Sequence, residues 1–363
     1  MTFNKKIYAY LLPIALLTIY LLGSCSEEAV NRLKAKPYAF GQSNHLTVIA
    51  DKDVWEGEVG DTFRYYFSSA FLILPQPEPI FDLKHFTPEQ LAADPIRKEL
   101  RTYILLGDIT EANSPTAKLM QENIGPERIR SAEEGKKYGN LQKADKWAQG
   151  QLVIYMFGTD QASLIKNIQV SYPSIAKKIQ EGDKELIEAS VFAGGENRTV
   201  GKTVQDKLGI QLRVPKEYFL AMDDPKLLWI RMETTEMSSN ILLHKLPYED
   251  PTQLSYDGFK NLRDSIGKQY ISSSVEGSFM QINDVSLPMF VTPTQFKELY
   301  AVEARGIWEL TKDYMGGPFI SYLIHNPETS ELFLLDGFIF APGKEKRNLI
   351  QDLEYIISTT EVL

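Results

Sequence analysis

The chain has 363 residues, 43% of them hydrophobic and 24% charged. That composition belongs to a folded protein, and its length suggests about two domains at roughly 150 residues each. The net charge is −9, from 39 Lys and Arg against 48 Asp and Glu, which argues against a nucleic-acid binder with its basic stripe. A single cysteine excludes an internal disulfide framework and multi-cysteine zinc or iron–sulfur sites.

Lys5 and Lys6 precede an apolar run from Ile7 to Leu22, broken only by Pro13 and Thr18, and small residues follow. These are the parts of a secretory signal, and the run is short for a membrane span of roughly 20 residues. Leu22-Gly23-Ser24-Cys25 resembles a bacterial lipobox. The resemblance implies cleavage after residue 24, a thioether from Cys25 to diacylglycerol, and acylation of the new amine by a palmitate-type chain. Acyl chains of that number anchor a protein essentially permanently. Removing the first 24 of 363 residues leaves 339, and losing two lysines takes the charge from −9 to −11. The lipid, rather than a basic face, is then expected to bind the membrane. Ser26-Glu27-Glu28 resembles the export signal of some Bacteroidetes surface lipoproteins and reads equally as the solvated start of a tether over residues 25–42.

An N-terminal α+β domain is expected over residues 43–190. His45 to Asp51 reads as a strand. Asp53 then caps a helix whose buried face carries Trp55, Val59, Phe63, Tyr66 and Phe67. Leu74-Pro75-Gln76-Pro77-Glu78-Pro79 reads as an extended segment, a rigid connection in preference to a docking strip. Leu100 to Leu106 reads as a strand, 113–146 as a polar surface insertion, and Gln151 to Phe157 as a central strand. Leu164, Ile168, Ile175 and Ile179 mark an amphipathic helix, bent or restarted at Pro173.

A boundary is placed between Ala189 and Leu208, and a C-terminal α+β domain over residues 209–363. Strands are expected at Ile210 to Val214, Lys226 to Glu233, Asn240 to Leu246, Val302 to Thr311, Pro318 to His325 and Leu332 to Phe340. Phe259, Leu262, Ile266 and Tyr270 line one helix, and Leu349, Leu353 and Ile356 a closing one. The fold class is therefore α+β, two mixed sheet-plus-helix subdomains. The strand–helix–strand order of the second resembles a PsbP/Mog1-like layer, an analogy of fold and not of function.

No catalytic or metal-binding set emerges, and no cofactor is expected. Gly195 to Thr203 misses the P-loop spacing and places Glu196 where phosphate would sit. His45, His85, His244 and His325 show no ligand spacing. Ser321, His325 and Asp336 share a neighbourhood, but two pleats separate Ser321 from His325, and no Gly-x-Ser-x-Gly turn is present. Asp264-Ser265-Ile266 resembles a Bacteroidetes O-glycosylation tripeptide. The densest unusual stretch holds Arg305, Trp308, Met315-Gly316-Gly317-Pro318 and Tyr322. It reads as a packed hairpin or as an interaction surface carrying Arg305, Trp308 and Tyr322.

Trp55-Glu56-Gly57-Glu58-Val59-Gly60-Asp61, the proline segment, Arg305-Gly306-Ile307-Trp308, Met315 to Phe319 and Gly337 to Pro342 together resemble an uncharacterised Bacteroidetes outer-membrane lipoprotein family, catalogued only as a domain of unknown function. The resemblance implies outer-membrane anchoring and carries over no catalytic residue. The expected function is that of a non-enzymatic accessory or interaction subunit of an outer-membrane assembly, export or uptake machine. Its partners would be the membrane, through Cys25, and an outer-membrane β-barrel or other envelope subunit. The alternative is a lipid-anchored hydrolase or binding module acting on glycan or peptide.

Overall fold

The computed structural model describes residues 35–363. The expected signal segment and the expected lipid-attachment residue Cys25 lie outside the described residues. Among the described residues no helix is long and apolar enough to cross a membrane.

The first half runs β1 (His45–Ile49), α1 (Lys52–Glu56), α2 (Glu58–Phe67), β2 (Asp82–Phe86), α3 (Pro88–Ala93), β3 (Thr102–Asp108), α4 (Pro115–Gln121), α5 (Pro126–Ser131), β4 (Tyr138–Ala144), β5 (Leu152–Gly158) and α6 (Gln161–Val191). Its sheet has the order β2-β1-β3-β5-β4, parallel except for β4. Helices cover both faces, so β3 and β5 are almost wholly buried, as the apolar run of β5 requires. One face packs α2 and α6 through Phe63, Phe67, Leu164 and Ile168. The other packs α3, α4 and α5 through Leu91 and Met120, with Ile129 at the margin.

The second half runs α7 (Arg198–Leu208), β6 (Ile210–Gln211), β7 (Phe219–Asp223), β8 (Leu227–Glu233), β9 (Ser238–Pro247), α8 (Tyr256–Tyr270), β10 (Met280–Ile282), β11 (Phe290–Phe296), β12 (Leu299–Leu310), β13 (Gly316–Asn326), β14 (Glu331–Phe340), α9 (Arg347–Ser358) and β15 (Glu361–Val362). The antiparallel main sheet is ordered β10-β12-β13-β14-β9-β8-β7, with β11 also on β12. Side chains of α7 and α9 pack on one face and those of α8 on the other. The two mixed sheet-and-helix halves are thus the α+β architecture that the sequence pattern implies.

Several local expectations need correction. The first helix has Asp51, not Asp53, at its N-cap position, with no side-chain cap bond, and is interrupted at Gly57. A Cβ on Gly60 would stand 1.9 Å from the Trp55 carbonyl oxygen, so α2 can fold back over α1 only with glycine there. Helix α6 passes Pro173 without a restart. Pro173 and Gln169, whose carbonyl loses its helical partner, are both exposed, and water can satisfy that group. The segment read as a surface insertion ends in β4, an edge strand with little burial. The expected strand 210–214 shortens to Ile210–Gln211, paired with β15.

The proline segment is a structural strap. Leu74 inserts into the core of the second half among residues of α7 and α9. Glu78 accepts from the Lys346 and Arg347 amides at 2.6 and 2.8 Å, which caps α9 across the seam. Arg347 returns contacts to the Pro79 carbonyl at 2.6 Å and to Asp82 at 2.7 Å.

Candidate functional site

Helix α9 sits between the halves and forms one wall of a cleft of about 490 Å³. Asn44, beyond the start of β1, has φ of 65° and bonds α9 through Asn348 at 3.1 Å and Gln351 at 2.7 Å. Its amide donates to Asp183 of α6 at 2.7 Å. On the same seam Tyr355 donates to Glu188 at 2.7 Å, and Arg213 pairs with Glu188 at 2.6 Å. Apolar lining comes from Phe71, Leu72, Ile80 and Ile187, and Lys184 stands among the polar lining residues.

Arg305 and Tyr322 line this cleft. They occupy neighbouring strands on the α9 face. Arg305 bonds Glu303 at 2.6 Å and Glu354 of α9 at 2.7 Å, and Tyr322 donates to the second oxygen of Glu303 at 2.8 Å. Burial opposes the guanidinium charge, but Glu354 and Glu303 hold it protonated far above its ordinary value. Burial, then Glu354 and Glu303, push the Tyr322 hydroxyl upward, so it remains a neutral donor. Burial also raises the Asp183 carboxyl. The cleft therefore offers an apolar floor with fixed donors and acceptors, while the carboxylates already neutralise Arg305.

Trp308 does not belong to this surface. Three residues along a strand reverse the side-chain direction, and Trp308 is buried among the α8-side residues. Its Nε1 donates to the Ile339 carbonyl at 3.1 Å. A Cβ on Gly317, its cross-strand partner, would lie 2.0 Å from that same oxygen. The two glycines of Met315-Gly316-Gly317-Pro318 thus serve the packed reading of this hairpin.

The other sequence candidates are placed as follows. Ser321 and Asp336 are cross-strand partners, and the hydroxyl donates to the carboxylate. The third member is Arg263 of α8, whose Nε meets Asp336 at 3.1 Å; His325 instead packs on Tyr248 at 4.1 Å. His85 stacks on Trp55 at 4.7 Å, His244 bonds the Lys226 carbonyl, and His45 lies 3.7 Å from Asp82. In the stretch resembling a P-loop, Asn197 caps α7 through the Val200 amide. Asp264 of the glycosylation-like tripeptide accepts from the Ile282 amide at 2.7 Å. A crevice beyond the carboxyl ends of β1 and β3 collects Asp51, Asp53, Asp108 and Glu111. Asp51 there is occupied by Thr116 and Ser114 and Asp108 by Thr110. Among the described residues no group of three His, Cys, Asp or Glu is placed to hold a metal.

Asp352, on α9, has no hydrogen-bond partner among the described residues, and burial pushes its carboxyl up to about 7. The folded chain therefore holds this proton more tightly than the unfolded chain, whose carboxyl has the ordinary value of 3.8. Its contribution to stability falls as pH rises from near 4 to near 7 and is level above that. Asp352→Asn is expected to raise the denaturation midpoint at about pH 8 and to leave it unchanged near pH 3. A difference between the proteins that is independent of pH would contradict this.

Residues 39–192 match a domain of unknown function (DUF8532), and residues 197–359 match a second (DUF4837). Both halves of the chain thus match families catalogued as domains of unknown function. No curated protein matches the sequence. Similar solved structures include the Saccharomyces cerevisiae Ran-binding protein Mog1p, at 7% identity and a TM-score of 0.28, covering 42% of this chain and 89% of that one. LpqN of Mycobacterium tuberculosis, described as involved in cell envelope biogenesis, is 16% identical with a TM-score of 0.27, covering 42% and 81%.

Proposed function

We propose that this chain, each of whose halves matches a family of unknown function, is a lipid-anchored cell-envelope protein that acts as a binding subunit. Leu22-Gly23-Ser24-Cys25 after a charged, apolar leader supports the anchor. The cleft between the halves is the single observation that carries the binding role. Its apolar lining, together with the Arg305, Tyr322 and Gln351 side chains, suits an apolar peptide segment whose amides need partners. The segment would come from another envelope subunit, such as an outer-membrane β-barrel. Binding there requires both halves, since α6, the strap and α9 each supply a wall.

The test places a photoreactive residue at Leu72, which lines the cleft and is 65% exposed, in the full lipidated chain in cells. One envelope protein is expected to crosslink at Leu72 and not at Tyr300, which lies outside the cleft lining. Ile187→Arg is expected to lower the yield about tenfold, because one buried aliphatic side chain is worth about 1.5–3 kcal/mol. The Cys25→Ala chain, left without its anchor, is expected to lose the crosslink. Crosslinks that survive Ile187→Arg, or that arise equally at Tyr300, would contradict the cleft as the binding site.

A further inference from the structure

We infer that the rim of the first half where the chain enters it is a docking face for anionic lipid headgroups, an inference that rests on the anchoring of Cys25. The entering chain is pinned there by its backbone. The Gln149 amide donates to Pro37 and the Ala39 amide to Gln149, both at 2.8 Å, and the Phe40 amide donates to Glu99 at 2.9 Å. On this fixed backbone Tyr38 is 80% exposed and Phe40 45%, and nearby Ile96 is 56% exposed. Aromatic side chains that combine an apolar ring with a polar tip favour the membrane interface.

The charges around them have the right sign. Lys36 reaches the Asp145 carbonyl. Lys146 lies over Trp147 at 4.9 Å and bonds the Tyr155 hydroxyl at 3.0 Å. Burial lowers its affinity for the proton, Glu122 opposes that, and Lys143 and Lys98 are close enough to add to the lowering. Acids stand among them as well: Asp94 pairs with Arg97, Asp145 accepts from the Gly150 and Gln151 amides and keeps its charge, and Glu122 acts on Lys146. Ammonium groups gathered at the rim of a strongly acidic chain gain from an anionic surface.

The tether supplies the geometry. Eleven residue steps separate Cys25 from Lys36, so at about 3.5 Å per step the rim stays within roughly 40 Å of the acylated sulfur. Docking would fix which way the cleft faces, which a free tether would not.

The lipidated full chain provides the test, because the sole cysteine is then a thioether and an introduced thiol can be labelled alone. Fluorophores at Tyr38→Cys, Ile96→Cys and Val285→Cys are compared on vesicles carrying headgroup nitroxide quencher. On phosphatidylglycerol-containing vesicles, quenching at 38 and 96 is expected to exceed that at 285 at least about twofold, and to fall on phosphatidylcholine alone. Lys98→Glu with Lys143→Glu should abolish the excess. Equal quenching at all three sites, or an excess untouched by charge reversal, would overturn the docking face. Vesicle flotation in the same samples reports the anchor separately. Protein that floats without the excess at 38 and 96 overturns docking alone. Protein that neither floats nor carries acyl mass overturns both.

Discussion

Asp336→Ala is expected to destabilise the protein by about 3–5 kcal/mol, the usual cost of stripping one partner from a buried ion pair. Arg263 is 1% exposed, and its Nε meets Asp336 at 3.1 Å. Its Nη1 and Nη2 are buried with no partner, and its guanidinium lies 3.9 Å from the Phe319 ring centroid. Among the described residues Asp336 is the one carboxylate bonded to this cation, which water does not reach, while Asp264 lies close enough to feel its charge. Ser321, which donates to Asp336, would also lose its acceptor. Arg263→Met combined with Asp336→Leu removes both charges and fills the space with apolar atoms, so it is expected to recover most of the loss. Chemical denaturation midpoints of the three proteins decide the matter. A double variant no more stable than Asp336→Ala would show that the pair is needed for more than its charge balance.

Glu78→Ala is expected to cost about 2–3 kcal/mol, in keeping with charge-assisted hydrogen bonds and the loss of a helix cap. The carboxylate accepts from two α9 amides, where the positive end of the helix favours an anion. Its loss leaves those donors buried and frees the strap that carries Leu74. Glu78→Gln, whose single oxygen can still accept from one of the two amides, is expected to fall between the two. Amide exchange should rise together in the first turn of α9 and at Phe71 and Ile80, whose amides bond Glu78 and Ser69 backbone. Exchange that rises in α9 alone would mean that the cap is local and does not hold the halves together.

What the sequence revealed depended on burial. Helices α6, α8 and α9 each carry a full apolar stripe, and β12, β13 and β14 are long and largely buried, so periodicity located all six. Strands β2, β4, β7 and β11 lie at or near sheet edges and are only partly buried, and their composition resembles that of loops. Arg305 and Tyr322 stood out as part of a dense aromatic stretch and do meet in the cleft. Trp308 was grouped with them by sequence distance, although a strand sends residues 305 and 308 to opposite faces. Asn44, Asp183 and Gln351 carry no local signal. Asn44 meets Asp183 within the first half across 139 residues and Gln351 across 307, and only the docking of α9 on the first half brings Gln351 to them.

The measurement that bears most directly on the anchored binding protein is the intact mass of the chain extracted from cell membranes, with the Cys25→Ala chain fractionated beside it. The expected mass is that of residues 25–363 plus diacylglycerol and an amide-linked acyl chain, with the acylated form absent from the alanine chain. An unmodified chain recovered in the soluble fraction would contradict the anchor and with it the docking face.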